Sequence, residues 1–196
     1  METGALTKIT ARQADEVLQL ARAADRVLPA IPGATPAVYL QQLMAKSAFN
    51  DAVHFLAFGL PKREAVWWAC VSARADLRES APPPVAAALA AAEAWVYRPT
   101  EELRYAAWER AKEAKFETPS AWAAVAAFWS GPSLAPPDLP AVPPSPHLTG
   151  VAVSGAVTLA AVQTEAALAD QKRQRYIKTA IDIANGGSGR NEAKGS

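Results

Sequence analysis

At 196 residues the chain has room for one domain with tails or a detachable segment, and with half its residues apolar and a fifth charged it is not globally disordered. Twenty lysines and arginines against nineteen acidic residues leave a net charge of +1, which excludes a field strong enough to gather nucleic acid or an anionic membrane. One cysteine, Cys70, excludes an internal disulfide. Alanine is abundant, β-branched residues seldom cluster and no stretch alternates with period two for long. The expected fold class is therefore all-α: a compact multi-helix bundle or a short solenoid-like helical stack, with a Pro-rich strap leading to a C-terminal helix.

Residues 1–9 are expected to form a flexible leader; Met1–Thr7 lacks a basic region followed by an apolar one, so no secretory signal and a cytoplasmic location are expected. The helical domain is expected over 10–130. Thr10 is placed as the N-cap of a helix running to about Arg26, with Val17, Leu18, Leu20, Ala21, Ala24 and Val27 on its buried side. Thr35-Pro36 opens a second helix, with a capping hydroxyl and proline as the first helical residue, and Val38, Tyr39, Leu40, Leu43 and Met44 form its apolar stripe. Asn50 or Asp51 is placed as the cap of a short third helix through Val53, Phe55, Leu56 and Phe58, stopped by Gly59.

Behind Pro61 and three charges come seven consecutive apolar residues, Ala65 to Val71. A helix apolar on nearly every side has to be surrounded, so this segment is expected to be the central helix, with both Trp67 and Trp68 inside. Further helix starts fall at Pro82-Pro83-Pro84, at Pro99-Thr100 and at Thr118-Pro119, and each of these helices carries tryptophan. The strings Ala94-Trp95-Val96 and Ala121-Trp122-Ala123 hint at a helical repeat, but the residues between them do not align. From Ala121 to Trp129 every residue is apolar, yet nine residues cannot cross a bilayer, which takes about 20.

Prolines at 132, 136, 137, 140, 143, 144 and 146 exclude helix from 131–147. That strap is expected to run as polyproline II across the domain, with Leu134, Leu139 and Val142 docked. Its PxxP matches, Pro137 to Pro140 and Pro140 to Pro143, read as structural. Residues 148–186 are expected to form one C-terminal helix, small-residue-rich in its first half and basic in its second, packing on the domain or on a partner, with 187–196 as a disordered tail.

No catalytic, cofactor or metal constellation stands out. His54 and His147 have no metal-ligating neighbour at i+3 or i+4, Cys70 sits inside the apolar run, and Gly186-Gly187-Ser188-Gly189 follows a helix where a phosphate loop would precede one. One stripe has more content. Arg63, Trp67, Val71, Arg74 and Arg78 follow one another by three or four residues, so on a helix Arg63, Trp67, Arg74 and Arg78 would make a partner-binding face. The alternative packs Trp67 in the core with arginine stems over it and their heads paired to Glu64, Asp76 or Glu79.

Asp51-Ala52-Val53 with Phe55-Leu56-Ala57, Leu60 to Ala69, Ala94-Trp95-Val96, Ala121 to Ala124 with Phe128 to Gly131, and Asp182 to Gly186 together resemble an uncharacterised family of bacterial proteins. Members of that family are often encoded among type VI secretion genes. The resemblance covers roughly residues 35 to 187, and Arg63-Glu64-Ala65-Val66-Trp67-Trp68-Ala69 is its most specific part. It implies an accessory or adaptor role near that apparatus and brings no catalytic residues with it.

The leading expectation is a non-enzymatic interaction protein with a protein partner, such as a secretion-system component. It has no cofactor and no nucleic-acid partner, does not engage a membrane, and its homo-oligomeric state is open. One alternative is a small helical enzyme or ligand-binding protein with a pocket near His54 or Cys70. The other is a membrane-surface protein docking through its C-terminal helix.

Overall fold

The chain is described by a computed structural model over residues 3–136 and 138–190. Its elements are α1 (Ala14–Ala23), α2 (Pro36–Ala45), α3 (Phe49–Gly59), α4 (Lys62–Asp76), α5 (Pro83–Tyr97), α6 (Glu101–Glu113), α7 (Pro119–Trp129), α8 (Leu148–Val162) and α9 (Ala169–Ala184), with a short 3-10 turn at Ala166–Leu168. There is no strand among the described residues. The fold is all-α.

Local chemistry starts several of these helices. The hydroxyls of Thr35, Thr100 and Thr118 accept from the backbone N–H groups of Val38, Leu103 and Ala121, which satisfies one orphan donor at each start. The first helix differs from its expected span. Glu16 reaches back to accept from the amides of Arg12 and Gln13, and the amide of Ala14 is taken by the Ala34 carbonyl, so α1 begins at Ala14 and not after Thr10. It ends at Ala23 because Asp25 takes a left-handed φ of 55°, and Val27 then points to water while Leu28 is buried. Helix α3 likewise starts at Phe49, before either expected cap.

Helix α4 is enclosed by α5, α7, α8 and α9, but it shares the centre with α8. Helix α8 packs on α3, α4, α7 and α9, and its small residues are what permit this: a Cβ placed on Gly150 would lie 2.4 Å from the Phe58 ring, and the Gly155 Cα faces the Trp122 indole. Close approach of backbones lets many neighbours reach one helix, at the cost of little side-chain volume on that helix.

Several expectations about the chain's ends and connections are corrected. The expected single C-terminal helix is two helices, α8 and α9, turned by 115° across the break. Asp76, at the end of α4, holds that break: its carboxylate accepts from the Thr164 hydroxyl and pairs with Lys172 Nζ at 2.8 Å. Helix α9 packs in cis, against α3, α4 and α8. The leader expected to be flexible is docked over its described part, residues 3–9. Leu6 and Ile9 are buried, the Asn185 side chain accepts from the Leu6 amide and donates to the Thr3 carbonyl, and the Lys8 amide donates to Ala184 O. The last of these satisfies a carbonyl that the end of α9 leaves open.

The segment 131–147 is a closed loop and not an extended strap. The Leu134 amide donates to Val142 O at 2.8 Å, the Ser133 hydroxyl accepts from the amides of Ala135 and Val142, and Tyr105 O–H donates to Ala135 O. Leu139 and Val142, expected to dock, are 56% and 52% exposed. Pro137, the first proline of one PxxP match, lies outside the described residues, as do residues 1–2 and 191–196 of the expected leader and tail. Among the described residues, no single helix is long and apolar enough to cross a membrane.

Candidate functional site

One residue step turns a helix by about 100°, and that step separates the two neighbouring indoles of α4. Trp68 is fully buried, with its Nε1 donating to Tyr176 O at 2.8 Å. Trp67 comes to the surface and is only half-buried, so the expectation that both rings lie inside is corrected for Trp67.

Around Trp67 three parts of the chain meet. Tyr97, the last residue of α5, is 61% exposed and packs its ring 5.7 Å from the Trp67 ring. Trp67 Nε1 donates to Ser188 O at 2.7 Å, and the Arg190 guanidinium lies 5.1 Å over the same indole while donating to the Tyr97 hydroxyl. Residues 187–190, expected in the disordered tail, thus form a wall of the site. Their turn is fixed by Asp182, whose carboxylate accepts from the Gly189 amide at 2.8 Å.

Two of the expected partner-binding arginines flank this corner. Arg63 Nε donates to the Val96 carbonyl at 2.6 Å, where the end of α5 has no helical donor left to offer. Arg74 forms a two-pronged pair with Glu93 of α5, at 2.7 and 2.5 Å, and that hydrogen-bonded partner holds its guanidinium protonated more firmly than usual. The acids suggested from the sequence as partners are used elsewhere: Glu64 pairs with Lys8, and Asp76 with Lys172. Arg78 does not belong to the corner. Helix α4 ends at Asp76, the periodicity lapses, and Arg78 lines a separate cavity of about 310 Å³ with Asp76, Thr118 and Ser120.

The corner is concave on both sides of Trp67. A cavity of about 400 Å³ opens between Arg63, Trp67, Val96, Tyr97, Ile183 and Ser188, and one of about 280 Å³ lies beside it against Val71, Arg74, Arg175 and Tyr176. Trp67 and Arg190 border both. Five cations line the pair, Lys8, Arg63, Arg74, Arg175 and Arg190, against Glu64 and Glu93. Since those two carboxylates are taken by Lys8 and Arg74, the heads of Arg63, Arg175 and Arg190 face no carboxylate among the described residues. The sequence stripe located Arg63, Trp67 and Arg74. It missed Tyr97, Arg175 and Arg190, and only Tyr97 carried a local sign, an aromatic residue placed just before the Arg98-Pro99 helix stop.

His54 and Cys70 line none of these cavities. Cys70 is fully buried and burial pushes its thiol far up, away from the thiolate. His54 is 6% exposed; burial first, then the charges of Arg26 and Arg173, lowers its pKa to about 4, and its Nδ1 has no hydrogen-bond partner among the described residues. The described residues contain no cluster of His, Cys, Asp or Glu that could hold a metal ion.

A family model described as a family of unknown function, DUF6931, matches residues 39–184. No curated protein and no solved structure matches the chain.

Proposed function

We propose, from the premise that the chain belongs to the DUF6931 family of unknown function, that it is a non-enzymatic interaction protein whose recognition surface is the groove divided by Trp67. One observation carries the reading: a half-buried indole and an exposed phenol lie among three guanidinium groups that meet no carboxylate among the described residues, beside two open cavities. Tryptophan, tyrosine and arginine are the residue types that most often dominate binding energy at protein interfaces. A half-buried indole left beside open concavities also keeps apolar surface in water that a partner would cover.

The resemblance noted in the sequence supports a context, an accessory or adaptor of a bacterial type VI secretion system. Co-purification from the native host tests surface and context together. Full-length protein is expected to retain a secretion component, and Trp67→Ala is expected to lose at least nine-tenths of it. Equal retention by the variant would place the interface elsewhere on the molecule, and recovery of no secretion component would remove the context.

A further inference from the structure

The groove also constrains what its occupant must carry. We infer that it takes an acidic segment of a partner protein, laid extended across Trp67 with a carboxylate on each side and an apolar side chain between; this inference rests on the groove being the recognition surface. Charge complementarity is the first ground. Arg63 lies on one side of the indole and Arg175 on the other, with Arg190 bordering both cavities, and none of the three meets a carboxylate among the described residues. Planar guanidinium groups bind carboxylates through two parallel hydrogen bonds, roughly twice as strong as neutral ones.

Shape is the second ground. Two shallow cavities separated by one ring suit a narrow chain that crosses the ring, and in an extended segment residues i, i+2 and i+4 share a face at steps of about 7 Å, so acids at i and i+4 leave an apolar side chain at i+2 over the ring. The larger cavity is bounded by Trp67, Val96, Tyr97 and Ile183, which gives an apolar side chain a surface to cover. A nucleic acid fits less well. Its phosphates recur along the whole length of the strand, whereas this protein has a net charge of +1 and sets Glu64 and Glu93 among the groove's arginines.

Selection of displayed random decapeptides on the full-length protein tests the inference. The selected pool is expected to be enriched in pairs of Asp or Glu four positions apart with an apolar residue midway, and a selected peptide is expected to bind at least tenfold more weakly when its acids are changed to Asn and Gln. The charge-reversed variant Arg63→Glu/Arg175→Glu/Arg190→Glu, checked for an unchanged circular dichroism spectrum, should lose that pool and select basic peptides instead. If that variant does not fold, the single change Arg63→Glu at an exposed side chain gives the same readout.

A pool without acidic enrichment, or one bound equally by the charge-reversed protein, overturns the inference. Peptides that are apolar and lost only on Trp67→Ala would overturn it while leaving the groove as recognition surface. No selection above the Trp67→Ala background would remove both. Arginine-dependent sedimentation with phosphatidylglycerol vesicles, without an acidic peptide pool, would assign the groove to a lipid headgroup and likewise overturn it.

Discussion

Two corners of this molecule bring arginine onto aromatic rings, and they differ in what the guanidinium has left to offer. At the first, Arg104 of α6 is buried between Tyr105 and Phe128, its carbon Cζ 4.6 and 4.8 Å from the two ring centres. Its Nε and Nη2 donate to Glu101 and its Nη1 to the Phe128 carbonyl, so each of its three nitrogens is engaged from within the protein. At the second, around Trp67, Arg63 engages one carbonyl and Arg190 one hydroxyl, and the rest of each head faces the groove. The same residue types therefore make a structural staple in one place and an open site in the other. Composition does not separate the two; the inventory of unused donors does.

The comparison can be broken most forcefully at the closed corner. Arg104→Leu leaves the Phe128 carbonyl at the end of α7 with only the long bond from the Gly131 amide at 3.4 Å and takes the partner from Glu101, and a loss of about 3 kcal/mol in urea unfolding is expected, with peptide capture by the groove unchanged. A change of similar size is expected from pH alone, away from the groove. His54 has a folded pKa of about 4 against 6.5 when unfolded, so between those values the unfolded chain binds more protons. Its contribution is complete above about pH 6.5 and is lost as pH falls towards 4, at most about 3 kcal/mol, and His54→Phe should flatten that part of the stability–pH curve.

Crowding the closed corner should cost somewhat less. A Cβ on Gly131 would lie 2.2 Å from Arg104 Nε, so Gly131→Ala must displace the guanidinium, with a loss of about 2 kcal/mol and a lower melting temperature. At the open corner the balance of effects reverses. Trp67→Ala removes a half-buried ring and is expected to lower stability by only about 1 kcal/mol while abolishing partner capture. Arg63→Ala is expected to leave stability within about 0.5 kcal/mol and to weaken peptide binding about tenfold, since it takes away an exposed side chain and one hydrogen bond to Val96 O. If the Arg63 and Arg104 substitutions gave the same pattern, the distinction between staple and site would collapse.

How much of this was legible beforehand depends on how far the deciding partner lies along the chain. Thr35-Pro36, Thr100 and Thr118-Pro119 announced their helices correctly because a cap is made within three residues. The rank of α8 was not legible, since glycine and alanine carry little hydrophobic signal and their value comes from what fits against them, Phe58 on Gly150 above all. Arg78 falls on the stripe in sequence because nothing near it marks the end of α4; Asp76 is held there by Thr164 and Lys172, 88 and 96 residues away. Trp67 and Trp68 read as one apolar unit in a linear string, and only the helical step tells surface from interior. Arg190 was hidden for the opposite reason, because a glycine-rich segment gives no local sign that a neighbouring indole will hold it.

The leader's attachment joins positions 182 apart in sequence, Thr3 and Asn185, so it can close only after the helices between them are in place. It acts as a latch: the last contact made during assembly and an early one to fray, with the amides of Leu6 and Lys8 exchanging their hydrogens ahead of the α4 and α8 interiors. Because Asn185 stands two residues before the stretch that walls the groove, and Lys8 borders the groove itself through Glu64, releasing that latch is expected to loosen the binding corner and uncover Leu6 and Ile9 at the core's edge while the interior around Trp68 stays shut.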